Sequence, residues 1–186
     1  MKRTYKITPK KSDKIDLDLL TNNLDNLDLT NNDNLNFWLY CKIAIRTGLR
    51  SIDILKLRVS DIRFDSQTAT VIEKKTNKRI VVPMDRAILE RIDKDREFVL
   101  WNDKYSSNVS LMTINRRLKK IYEGQEVNIS SHSIRKTVAQ YVYEKSNYNI
   151  IQAMLFLNHS DTKTTMSYMG LNEEKRFATY NYTADL

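Results

Sequence analysis

One cysteine, three glycines and two histidines in 186 residues each close off a class of protein. Cys41 has no second thiol to pair with, so neither an intramolecular disulfide nor a paired-cysteine zinc site can form. It lies in the apolar run 37–45, which marks a buried thiol rather than a reactive one and fits a reducing cytoplasm. The glycines are scattered at 48, 124 and 170, so there is no Gly-rich phosphate loop of the nucleotide-hydrolase kind. Two histidines with no clear carboxylate partner disfavour a metal nuclease, and no metal or other cofactor is expected. No stretch approaches the roughly 20 apolar residues that a membrane helix needs, and the N-terminus is basic and then polar, without a signal core. The expectation is a soluble intracellular protein with no membrane partner.

Positive charge is what the sequence has in excess. Lys and Arg number 31 against 23 Asp and Glu, a formal charge of +8, and the pI near 9.5 suits a polyanionic partner such as nucleic acid, though a basic surface alone would look the same. The length allows one domain with a real core.

Residues 1–33 combine a basic strip at 2–14 with a run of Asp, Asn and Leu. They are expected to form a polar basic arm or loosely docked leader, with room for one short helix before Thr30. From residue 34 an apolar helix is predicted over 35–45, ending at Thr47-Gly48, and a second over 51–59. Strands follow at 61–64, 68–73 and 79–82, with Thr76-Asn77 in the last turn and Pro83 closing a small antiparallel sheet. Helices are expected at 85–93, 113–122, 133–145, 149–157 and 162–169. The fold class is therefore mainly α with a small three-stranded antiparallel sheet: a core domain over 34–170 and a tail over 171–186.

Four stretches hold the polar residues that phosphoryl transfer requires. In Thr47-Gly48-Leu49-Arg50 a glycine turn presents Arg50 at a helix start, where a guanidinium can grip two phosphate oxygens, or else bridge to Asp53 or Asp61. The hairpin tip carries Lys74, Lys75, Lys78 and Arg79, either a DNA-contacting cluster or a solvated turn. His132 and Arg135 open a helix whose core stripe is read as Ile134, Val138, Tyr141 and Val142; a hydrogen-bonded structural histidine is the plainer reading of His132. Finally His159 precedes Tyr168 by nine residues, and Tyr168, one of ten tyrosines, could equally be packing.

In this order the four stretches resemble the tyrosine recombinase (phage integrase) family. It shows an Arg after Thr-Gly-Leu, a hairpin Lys before Thr, a His-x-x-Arg pair, and a Leu-Gly-His followed by Tyr. The resemblance covers about residues 34–170 and implies the catalytic-domain fold of that family. It implies that Arg50 and Arg135 clamp the scissile phosphate and that Lys75, or its neighbour Lys74, protonates the leaving 5′ oxygen. His132 and His159 match the two family histidines, the second a phosphate ligand. Tyr168 matches the nucleophile and Asp53 a carboxylate that orients the site; Lys74, Lys78 and Arg79 would touch DNA. Asn158 departs from the usual glycine. The separate N-terminal clamp domain common in the family has no counterpart in the 33 residues before the match, so the chain resembles the short single-domain members, or a fragment.

The resemblance implies a site-specific recombinase working through a 3′-phosphotyrosyl intermediate without metal or ATP. Relaxation of supercoils, or an accessory DNA-binding role with weak catalysis, are the alternatives. Implied partners are double-stranded DNA, further copies assembling into a tetrameric synapse, and accessory DNA-bending proteins, in the nucleoid of a prokaryote, virus or mobile element. The tail, with Phe177, Tyr180 and Tyr182, is expected to dock on a neighbouring protomer or on its own domain.

Overall fold

The computed structural model describes residues 12–171. The element order is α1 (Leu17–Asp25), α2 (Asn32–Thr47), α3 (Ser51–Leu55), β1 (Ile62–Arg63), β2 (Thr68–Ile72), β3 (Arg79–Pro83), α4 (Arg86–Leu89), β4 (Trp101–Asn102), β5 (Ser107–Asn108), α5 (Leu111–Ile121), α6 (Ser131–Lys145), α7 (Ile150–Phe156) and α8 (Thr162–Met169). The chain is mainly helical, with a three-stranded antiparallel sheet in the order β1-β2-β3. A second short hairpin, β4 with β5, was not foreseen.

The central element is α2. Asn31 caps its start by accepting from the Asn34 N–H, and Gly48, in the left-handed region, ends it. It is buried on most faces, including Phe37, Leu39, Tyr40 and Cys41. Such an all-round apolar helix belongs inside a domain, and α3, α4, α5, α6, β3 and β4 all pack around it. The sheet obeys period two: Ala69 and Val71 of β2 point inward, and Ala69 stands opposite Val82 of β3.

Packing begins before residue 34. In α1, capped by Asp16, Leu20 and Leu24 are almost fully buried. Tyr122 donates to the Asp16 carbonyl at 2.7 Å and the Ile15 N–H donates to Thr137 at 3.0 Å. The boundary expected at residue 34 therefore does not fall at the edge of the packed unit. The cause is a Leu pair four residues apart that makes an apolar stripe within a polar composition. The expected docking of the tail falls on 172–186, outside the described residues.

Two further expectations are corrected. The helix predicted over 51–59 stops at Leu55, because the next segment pairs with a distant one: Val99 donates to Leu57 and Val59 donates to Glu97. On α6, Tyr141 is 51% exposed whereas Arg135 is 4% exposed. The expected stripe runs into solvent at Tyr141, and the charged residue turns inward. Among the described residues, no helix is long and apolar enough to cross a membrane.

Candidate active site

Gly48 fixes the first corner. Its φ is +60°, and a Cβ there would stand 2.7 Å from Phe156 Cζ, so both the turn and the close approach of α7 require glycine. Two residues on, Arg50 is the N-cap of α3 but caps with backbone only. Its guanidinium, 16% exposed, forms an ion pair with Glu73, not with Asp53 or Asp61.

Arg135 sits at the centre. It donates to the Gly48 carbonyl, to the Leu157 carbonyl at 2.8 Å, and approaches His159 Nε2 at 3.4 Å. Its Cζ lies 5.9 Å from the Tyr168 ring centre. Gly48 and Leu157 are the C-caps of α2 and α7, so two helix C-termini, each with partial negative charge, surround the buried cation.

His159 and Tyr168 face each other edge to plane, ring centres 5.6 Å apart. Burial, reinforced by the charges of Arg135, Arg50 and Lys75, pushes the His159 imidazole down to about 4. The Tyr168 hydroxyl donates to the His132 carbonyl at 3.4 Å. Burial raises its pKa, while Arg135 and Arg50 pull in the opposite direction. Tyr168 is carried on α8, whose start Asp161 caps and whose end Gly170 closes. The exposed His132 side chain, in the first turn of α6, is pushed down by partial desolvation and then by Arg135.

The hairpin contributes the exposed side chains of Lys74, Lys75, Lys78 and Arg79. Among the described residues none of them is in an ion pair, so the tip offers uncompensated positive charge. Its base is held by two buried carboxylates. Asp53 Oδ1 accepts the Lys74 N–H at 2.9 Å, and burial raises the Asp53 pKa. Glu73, 1% exposed, accepts from Arg50, from Thr76 Oγ1 at 2.6 Å and from Asn158 Nδ2 at 2.7 Å.

Four separated segments thus meet around one small volume. It holds the Arg50 and Arg135 guanidiniums, the His159 imidazole and the Tyr168 phenol, with the charge of Lys75 reaching His159, while His132 meets Tyr168 through its backbone carbonyl and carries an exposed side chain that feels the charge of Arg135. The sequence pattern of the phage integrase family matches residues 14–175. The chain belongs to that family. It is 24% identical over 174 residues to a probable integrase/recombinase of Acholeplasma phage L2, covering 89% of this chain and 59% of the relative. It is 27% identical over 158 residues to the probable integrase/recombinase YoeC of Bacillus subtilis (strain 168), covering 82% of this chain and 86% of YoeC. The fold matches that of the XerH site-specific recombinase bound to difH substrate in a pre-cleavage complex, with a TM-score of 0.69 at 20% identity, covering 98% of this chain and 57% of that one. The chain therefore spans a little over half the length of the phage relative and of XerH.

Within this integrase-family fold, sequence reasoning missed Glu73, Thr165 and the role of Asn158. Glu73 continues the inward alternation of Ala69 and Val71, and a carboxylate on an inward strand position is a signal of a built polar site. Asn158, where the family usually has glycine, has φ 49°, which Asn tolerates, and its amide reaches Glu73.

Proposed function

We propose that this chain is the catalytic unit of a site-specific recombinase that cleaves and rejoins double-stranded DNA. The reading rests on Arg135 standing 3.4 Å from His159 Nε2 and 5.9 Å from the Tyr168 ring centre, because a cation shared by a nucleophile and a phosphate ligand marks where the phosphorus would sit. Arg50 and Arg135 hold the non-bridging oxygens with His159 beside them; the Tyr168 hydroxyl gives its proton to the neutral His132 imidazole as its oxygen attacks phosphorus. The bond from phosphorus to the 5′ oxygen breaks as Lys75 supplies that oxygen's proton. A 3′-phosphotyrosine and a 5′ hydroxyl result, and a 5′ hydroxyl from a second duplex reverses the step, returning the phenol. Lys74, Lys78 and Arg79 neutralise backbone phosphates. Exchanging all four strands of two duplexes takes one tyrosine per strand, so the working assembly is four copies on DNA, with DNA-bending proteins as helpers at sites that must be folded together.

The test is covalent trapping on nicked duplexes drawn from the DNA flanking the gene. The wild-type chain should give a protein–DNA band stable in detergent, and Tyr168→Phe should give none while still shifting DNA in native gels. A covalent band that survives the substitution moves the nucleophile elsewhere.

A further inference from the structure

We propose that Glu73 is a positioning residue for strand cleavage, locking Arg50, the lysine hairpin and the His159 turn into one unit. This rests on the recombinase reading above and assigns a residue that none of the sequence motifs includes. A carboxylate taken out of water is retained only if its oxygens are well paired, and Glu73 is 1% exposed. Its partners come from three places in the chain, and each is a site residue or the immediate neighbour of one. Arg50 is itself a candidate phosphate clamp and gives one edge of its guanidinium to Oε1, which leaves other N–H groups of the fork for phosphate. Thr76, which follows Lys75, donates to Oε2 at 2.6 Å. Asn158, which precedes His159, donates to the same oxygen at 2.7 Å. The Glu73 backbone closes the hairpin as well, donating to Lys78 at 2.9 Å and accepting from Asn77 at 2.8 Å. Side chain and main chain together fix where the hairpin leaves the sheet, and so where Lys75 stands relative to Arg50 and His159.

Single-turnover cleavage of nicked DNA at saturating protein tests this. Glu73→Gln keeps the shape but lacks the charge and one acceptor, and should slow cleavage by about 100-fold, the scale of a misplacement near 1 Å. The DNA dissociation constant should stay within about threefold. Asn158→Gly and Thr76→Val each remove one donor and should slow cleavage by about tenfold; they carry the test if Glu73→Gln does not fold. Replacing the 5′ bridging oxygen by sulfur gives a leaving group that needs no proton. It should recover at least about tenfold in Glu73→Gln, because part of its defect is a displaced lysine; a merely structural residue has no reason to respond to the leaving group. Leu24→Ala, a core change away from the site, serves as the stability control. Glu73→Gln cleaving no more slowly than that control, or showing no sulfur rescue, overturns the proposal alone. A wild-type chain that never forms the covalent adduct overturns the recombinase reading and this proposal with it.

Discussion

The guanidinium of Arg135 donates to the carbonyl of Gly48, two residues before Arg50, so one candidate phosphate clamp is fastened to the backbone that presents the other. The same group donates to Leu157 two residues before His159. Arg135 therefore has a structural duty beside the chemical one proposed for it.

Arg135→Lys separates the two duties. One ammonium on a flexible stem cannot reproduce a planar fork reaching two carbonyls, and a buried carbonyl left unpaired costs about 1–3 kcal/mol. For a chain of this size that is a fall in melting temperature of roughly 3–10 °C. Covalent trapping should vanish although positive charge is kept. An unchanged melting temperature would show that the carbonyl contacts hold nothing in place.

Gly48→Ala should destabilise by two separable routes. A left-handed residue with a Cβ costs about 1–2 kcal/mol, and the clash with Phe156 adds about 1–3 kcal/mol. Phe156→Leu in the same chain should recover the second part and not the first. Urea unfolding of the two single variants and the double gives the coupling, expected at about 1 kcal/mol or more. Simple additivity would mean that α7 does not press on this turn.

The comparison of sequence with structure turns on what local pattern can encode. Helix α8 was legible to the residue, because Asp161 starts it and Gly170 stops it. The sheet was legible from alternation closed by Pro83. What was hidden depended on partners far along the chain. Nothing local tells α3 to stop at Leu55, since the competing bonds come from Glu97 and Val99. Glu73 was lost among the hairpin's cations, where a carboxylate reads as a solvated neighbour, and nothing local shows that Arg135 is buried by the carbonyls of Gly48 and Leu157, which come from distant helix ends. The candidate residues were readable as residue types in order, whereas the hydrogen-bond network that joins them was not.

Leu24→Ala tests how far the folding unit extends. Leu24 is 1% exposed and belongs to the main core, so truncation should cost about 2–5 kcal/mol. The loss should appear in one cooperative transition shared by fluorescence and circular dichroism. A leader docked loosely on a finished domain would instead leave the main transition where it was.

The protonation of His159 should respond to DNA. Its Nδ1 lies 3.1 Å from Thr165 Oγ1, and that hydroxyl gives its own proton to the Asp161 carbonyl at 3.1 Å. Thr165 can therefore only accept, which puts the hydrogen on Nδ1 and leaves Nε2 bare toward Arg135. With burial and neighbouring cations holding the ring at about 4 against an ordinary 6.5, the unfolded chain takes up this proton before the native one as pH falls. The contribution of His159 to stability is accordingly complete above about pH 6.5 and is lost as pH drops toward 4. A phosphate oxygen at Nε2 can be satisfied only if that nitrogen gains a hydrogen, so binding should be accompanied by proton uptake. The chain has two histidines, which makes a proton NMR titration direct: the His159 ring signal should titrate near 4 alone and move up by about one unit or more on DNA. Affinity for DNA should rise as pH falls below the shifted value. Thr165→Val keeps the volume and releases Nδ1, so the neutral ring can place its hydrogen on Nε2 and donate without uptake, and the pH dependence of binding should flatten. A His159 titration that DNA leaves untouched would remove this residue from the phosphate's ligands.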